Sequence, residues 1–174
     1  YRITMYDDSG NSCAIMQTMN GFKNVECVLQ GTREMRAFGL NNSIMMVFTF
    51  RTSAAETLLI HASAVIHQDY GYAFIARSGT GKSTHARQWL ETFPDCHLLN
   101  DDNPVLRIED GMVAVYGTPW SGKTPCYRNE CAPVAGIVRL QQSGTNRFTP
   151  LEGPEAFAAL LPSCSAIRQD IRLH

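Results

Sequence analysis

No run of Lys or Arg interrupts this chain of 174 residues, and no apolar stretch approaches the roughly 18 residues that a membrane-spanning helix needs. Excess charge of either sign is missing too: the formal net charge is -1 and the pI is near 6.6. A general nucleic-acid or membrane-surface binder would carry a basic footprint, so neither nucleic acid nor membrane is expected among the partners. The amino end shows no signal-peptide pattern, and a soluble, cytoplasmic protein is the expectation. Six cysteines are present, at 13, 27, 96, 126, 131 and 164, but no two form a CxxC pair. That removes the zinc ribbon and the thioredoxin-type redox site. No internal repeat or low-complexity segment stands out. What is there is a 44% hydrophobic composition, enough for a single domain with one sizeable core.

Short apolar runs alternate with turn signals over the first forty residues, at Asp7-Asp8-Ser9-Gly10-Asn11 and Asn20-Gly21, which is the pattern of a β-meander. Strands are expected at 2 to 6, 13 to 19, 22 to 29 and 33 to 38, and a helix capped at Asn42-Ser43 and ending near Glu56. Leu58 to His67 and Tyr72 to Ala76 read as strands joined by a tight hairpin at Gln68-Asp69-Tyr70-Gly71. A helix follows over Ser83 to Thr92, then a short strand His97 to Asn100, strands Val105 to Glu109 and Met112 to Tyr116, and a loop-rich stretch to Pro133. A strand Val134 to Gln141 and a helix opened by Pro154-Glu155 complete the reading.

The run Ala76-Arg77-Ser78-Gly79-Thr80-Gly81-Lys82-Ser83 fits the phosphate-binding loop pattern with Ala in place of its first Gly. An apolar strand leads in and a helix leads out, the setting in which successive amides converge on phosphate oxygens. Gly79 and Gly81 supply backbone freedom, Lys82 reaches the outer phosphates, Ser83 ligates Mg²⁺, and Thr84 follows at the helix start. ATP and Mg²⁺ are therefore the expected cofactors, with the nucleotide as the first partner.

Asp101-Asp102 lies about 18 residues beyond Ser83, at the end of an expected strand. The pair reads either as a turn before Asn103-Pro104 or as a metal-side carboxylate beside a proton acceptor. His61 reads either as a core histidine on an apolar strand or as a site residue. Gly117 to Thr124, GTPWSGKT, repeats the phosphate-loop string, but Pro125 follows at once and forbids the helix that a second cradle requires. It reads as a loop at the mouth of the site, with Lys123 facing phosphates or an acidic substrate, or as plain surface.

From about His61 to Arg107 the chain resembles the catalytic domain of HPr kinase/phosphorylase, a bacterial serine kinase related in fold to phosphoenolpyruvate carboxykinase. The resemblance rests on His61-Ala-Ser-Ala-Val, the hairpin, the strand into ARSGTGKST, the helix and LLNDDNPVLR. It implies an α/β, carboxykinase-like phosphate-loop fold with a mixed sheet and, here, an N-terminal β-meander. One domain over 1–174 is expected, β-rich over 1–56 and carrying the phosphate-loop core over 57–174. By the resemblance, Asp101 is the general base, Asp102 the carboxylate near the metal and His61 the site histidine, with Lys82 and Ser83 holding nucleotide and Mg²⁺. The implied activity is transfer of the γ-phosphoryl group to a hydroxyl of an unspecified protein, peptide or small molecule. A nucleotide-binding switch without transfer, or a carboxykinase-related enzyme, are the alternatives, and homo-oligomerisation stays open. The Glu-x-Arg-Gly stretch of that family has no counterpart after Asp102; GTPWSGKT stands in its place.

Overall fold

The computed structural model describes residues 1–166, which divide into two compact units, Tyr1–Ala55 and Glu56–Ser165. In the first, strands β1 (Arg2–Tyr6), β2 (Ser12–Met19) and β3 (Asn24–Leu29) form an antiparallel meander in chain order. Asp7 makes the first turn: its carboxylate accepts from the amides of Ser9 and Asn11 at 3.0 and 2.7 Å. Helix α1 (Arg33–Thr52) covers one face, closing a core of Met5, Ala14, Met16, Phe22 and Phe50.

The expected strand at 33 to 38 is the start of this helix, which begins some ten residues before the expected cap at Asn42-Ser43. Thr32 is the true cap, its hydroxyl accepting from the Met35 amide at 3.3 Å, and Glu34 sits in the first turn where negative charge is favoured. Asn42 and Ser43 donate back to the carbonyls of Phe38 and Gly39, at 2.9 and 2.7 Å, so side chains that commonly cap helices are absorbed inside one. Gly39 is required there, since a Cβ would stand 2.8 Å from that of Ala14 and 2.9 Å from the Cys13 carbonyl oxygen.

The second unit is built on seven strands: β4 (Thr57–Leu59), β5 (Ala62–His67), β6 (Tyr70–Ile75), β7 (Cys96–Asn100), β8 (Val105–Glu109), β9 (Met112–Tyr116) and β10 (Cys131–Arg139). Their order is β4-β8-β9-β10-β6-β5-β7, mixed in direction because β10 runs parallel to β6 while the other pairings are antiparallel. The fold is thus mixed α/β. The tight hairpin is present, β5 and β6 turning through Gln68 and Asp69, whose φ values of 50° and 64° are those of a primed turn.

Leu58 to His67 is not one strand. It breaks at Ile60 and His61, whose amides turn aside to the carbonyls of Pro104 and Ser163 at 3.1 and 2.7 Å. The last strand begins at Cys131 rather than 134, because Cys131 to Pro133 pair with β9 before the chain joins β6. Helix α2 (Lys82–Thr92) packs Ala86, Trp89 and Leu90 over Val65 and Phe74. Helix α3 (Gly153–Leu160) and a 3₁₀ turn at Leu161–Ser163 follow, with Leu160 and Cys164 against the core of Ile60, Ala62, Ala64, Ile75 and Leu99. All six thiols are free. No described helix is long and apolar enough to cross a membrane.

Candidate functional site

Between the end of β6 and the start of α2 the chain makes the loop Ala76 to Gly81. The two glycines sit at φ 80° (Gly79) and 114° (Gly81), the left-handed region that side chains resist. Space is not what demands glycine at position 79: a Cβ there would meet nothing within 4 Å. Open space above a glycine-rich backbone is what a ligand approaching the amides requires. Gly81 is the N-cap of α2 and no side chain caps that end, so the first-turn amides remain available to an anion. Arg77, Ser78, Ser83 and Thr84 are exposed around the loop, and Thr80 is half-buried, its amide closing a turn onto the Arg77 carbonyl at 3.2 Å.

Lys82, first residue of α2, points across to the break between β4 and β5. Its Nζ lies 2.8 Å from Nε2 of His61 and donates to the Ala76 carbonyl at 3.3 Å. Burial pushes its pKa below the usual lysine value, and the nearby carboxylates of Asp102 and Asp101 pull partly the other way. The opposite ring nitrogen of His61, Nδ1, lies 3.1 Å from Oδ1 of Asp102. A charged Lys82 can only donate, so Nε2 accepts and Nδ1 carries the proton toward Asp102. The result is a line of three polar side chains from the phosphate loop to the aspartate turn.

Asp101 is buried and takes a hydrogen bond from the Ser63 hydroxyl, 2.8 Å to Oδ1. Asp102 is half-exposed, and its second oxygen accepts from the Asn103 side-chain amide at 2.8 Å. Beneath the turn lies Asn100, fully buried. Its Oδ1 accepts from the amides of Asp102 and Asn103, both at 2.9 Å. Its Nδ2 donates to the carbonyls of Thr118 and Trp120 at 3.2 and 3.3 Å and faces the Thr118 hydroxyl at 3.1 Å. That hydroxyl donates to the Asn103 carbonyl at 2.8 Å.

One side chain thus ties the aspartate turn to the loop Gly117 to Thr124, and Gly122 completes the join. A Cβ on Gly122 would lie 3.1 Å from the Asp101 carbonyl oxygen and 3.2 Å from Cβ of Asp102. The GTPWSGKT segment therefore packs against the aspartates and makes no second cradle; no helix follows it. Lys123 is exposed.

Sequence reasoning reached the loop, Lys82, His61 and both aspartates, which the fold brings together from three elements. It missed Ser63, Asn100 and Thr118. Ser63 had a signal, since it lies two residues from His61 and two-residue spacing shares a strand face. Asn100 had a weaker one, an amide side chain at a strand end immediately before two aspartates.

The oxygen donors on the chain, the Ser83 hydroxyl and the Asp102 carboxylate, are of the kind that suits Mg²⁺. Among the described residues no group of three or more His, Cys, Asp or Glu could hold a metal by itself, so phosphate oxygens and water would complete the coordination. Two concavities flank the loop, one of about 380 Å³ reaching toward Ser163 and one of about 390 Å³ along the start of α2. Comparison with protein-family models and with curated proteins returns no match for this chain.

Proposed function

We propose that the second unit is a carboxykinase-like phosphate-loop domain of the HPr kinase type, which binds ATP with Mg²⁺ and transfers the γ-phosphoryl group to a hydroxyl acceptor. The observation that carries this reading is the line Lys82, His61, Asp102 with Asp101 beside it, because it joins a phosphate cradle to a pair of carboxylates. A passive anion site needs the amides and the lysine alone. A phosphoryl-transfer site needs in addition a group to take the acceptor's proton and an oxygen ligand on the metal side.

The roles follow from the surroundings. The loop amides and Lys82 hold the phosphates and offset their charge. Asp101, fixed by Ser63, takes the proton of the acceptor hydroxyl as its oxygen bonds to phosphorus. Asp102 and Ser83 would hold Mg²⁺, which supplies charge neutralisation across the outer phosphates. His61, with one nitrogen toward Lys82 and the other toward Asp102, sets the position of both. Phosphate oxygens arriving at Lys82 would take over its contact with His61.

Incubation with γ-labelled ATP, Mg²⁺ and a cell extract tests the reading. Label is expected on an acceptor in the presence of the protein and not with Asp101→Asn. Tight nucleotide binding with no label transferred would sink the kinase reading and favour a nucleotide-binding switch.

A further inference from the structure

The two concavities beside the loop differ in what they touch. The one along α2 is lined by Gly81, Thr84, His85 and Gln88, the loop's end and the first turns of the helix, where the inner phosphates of a nucleotide lie. The other is lined by Ala76 and Ser163 among others. Both of these bond to residues given roles in the transfer, none of which lines the cavity itself: the Ala76 carbonyl accepts from Lys82, and the Ser163 carbonyl accepts the His61 amide at 2.7 Å. A common wall, Thr80 with Leu140 to Gln142, separates them, and the Gln142 side chain braces it through the Thr80 carbonyl at 3.3 Å.

Among the described residues, Arg77 and Arg139 both line this cavity, and no Asp or Glu does. Leu140, Ala159 and Pro162 give it apolar walls, and its volume of about 380 Å³ lies at the small-molecule end of ligand sites. Guanidinium groups stay charged at any working pH and match carboxylate and phosphate oxygens in pairs. We infer that this cavity seats the phosphoryl acceptor, and that the acceptor is a small alcohol carrying a carboxylate or a phosphate. The inference rests on the kinase reading above and adds the substrate class to it. In the transfer, the acceptor oxygen bonds to the γ-phosphorus and the bond from that phosphorus to the β,γ-bridging oxygen breaks. ADP leaves with the electron pair, and the hydroxyl proton passes to Asp101.

Calorimetry on the whole protein, loaded with Mg²⁺ and a non-hydrolysable ATP analogue, reads this directly with glycerate, glycerol phosphate and glycerol as probes. At least one of the two anions should bind tenfold or more tightly than glycerol. Arg139→Gln should weaken that anion at least tenfold, with Arg139→Lys between, while the analogue's affinity stays within twofold of the unmodified protein. Equal binding of glycerol, anion binding indifferent to Arg139→Gln, or anions that bind only by displacing the analogue would each overturn the assignment. So would labelled ATP marking only proteins in an extract, never its small-molecule fraction. Failure of the analogue to bind the unmodified protein counts against the nucleotide reading, whereas failure of both anions on the loaded protein counts against this cavity alone.

Discussion

Two adjacent carboxylates in one turn meet different surroundings, and that difference separates the roles proposed for them. Asp101 is buried against the Ser63 hydroxyl, whereas Asp102 is half-exposed between His61 and Asn103. Asp101→Asn keeps shape and most nucleotide affinity but should lower phosphoryl transfer by about 10²- to 10⁴-fold, the usual loss for a general base. Asp102→Asn should instead raise the Mg²⁺ requirement, so that excess Mg²⁺ restores part of its activity and none of that of Asp101→Asn. Rates for both variants over a Mg²⁺ series check this, and identical rescue of the two would remove the distinction. Lys82 offers a pH test. Its pKa in the fold is lowered by burial from 10.5, so in the window between the lowered value and 10.5 the unfolded chain binds more protons than the folded one. Stability from this group therefore rises with pH across that window. The thiols of Cys96, Cys126 and Cys164, raised by burial, and the Tyr116 hydroxyl, raised to about 12 by its hydrogen bond to Glu109 and then by burial, act in the opposite sense. The melting temperature of the unmodified protein minus that of Lys82→Met, followed upward from pH 7, isolates the lysine and should climb; a flat difference would refute the burial of its ammonium. The candidate site residues were legible as residue types, the loop most clearly, while His61 and the aspartates each carried a second reading. Their partners were not, because Ser63 and Thr118 are ordinary residues until a fold sets them against an aspartate and a carbonyl.

Elements near the site are held by side chains that join strand ends to loops. Asn100 closes β7 and makes part-buried contacts to the turn on one side and buried contacts to the GTPWSGKT loop on the other. Asn100→Ala removes the side-chain partner of the Asp102 and Asn103 amides and one donor to the Thr118 carbonyl. Each buried group left unpaired costs about 1–3 kcal/mol, and with relaxation the net loss should be about 2–4 kcal/mol in denaturant unfolding. Activity should fall with it, since both aspartates lose their support; a loss below about 0.5 kcal/mol, the range of an indifferent surface change, would mean that the network is not formed. Element boundaries were readable where local chemistry is exclusive. The hairpin falls within Gln68 to Gly71, with β6 starting at Tyr70 rather than Tyr72 because the turn takes two residues, and the strands on either side of Asp110-Gly111 lie where their turn residues put them. Residues 33 to 38 were misread because Glu34-Met35-Arg36-Ala37 alternates polar and apolar as a strand does, and the deciding cap, Thr32, is weak in sequence. The break at Ile60 and His61 was invisible for another reason: it is made by distant carbonyls, those of Pro104 and Ser163.

Strand order is the property of the whole second unit that no local pattern encodes, and it decides how far the loop Ala76 to Gly81 stands from the aspartates. The aspartate turn follows β7, which is separated from the loop-bearing β6 by β5. The loop and the turn are therefore two strands apart, spanned in the free protein by His61 at the head of β5. On the proposed reading, a nucleotide with two phosphates would fill the loop, and the third phosphate would extend toward the carboxylates. Hydrogen exchange can separate these contributions. With Mg²⁺ and either ADP or a non-hydrolysable ATP analogue at about a hundredfold excess over its Kd, the folded state should gain about 2.7 kcal/mol by linkage. Amides over Arg77 to Thr84 should slow with both nucleotides. Those of Asp102 and Asn103, which already bond to Asn100, should slow further only with the triphosphate, because closing the gap between β6 and β7 suppresses local opening of the turn. Equal protection of the turn by ADP would mean that filling the cradle alone tightens it, and the carboxylates would then have no claim on the third phosphate. Protection that never reaches the turn with either nucleotide would leave the phosphate loop as a binding site and detach Asp101 and Asp102 from its chemistry.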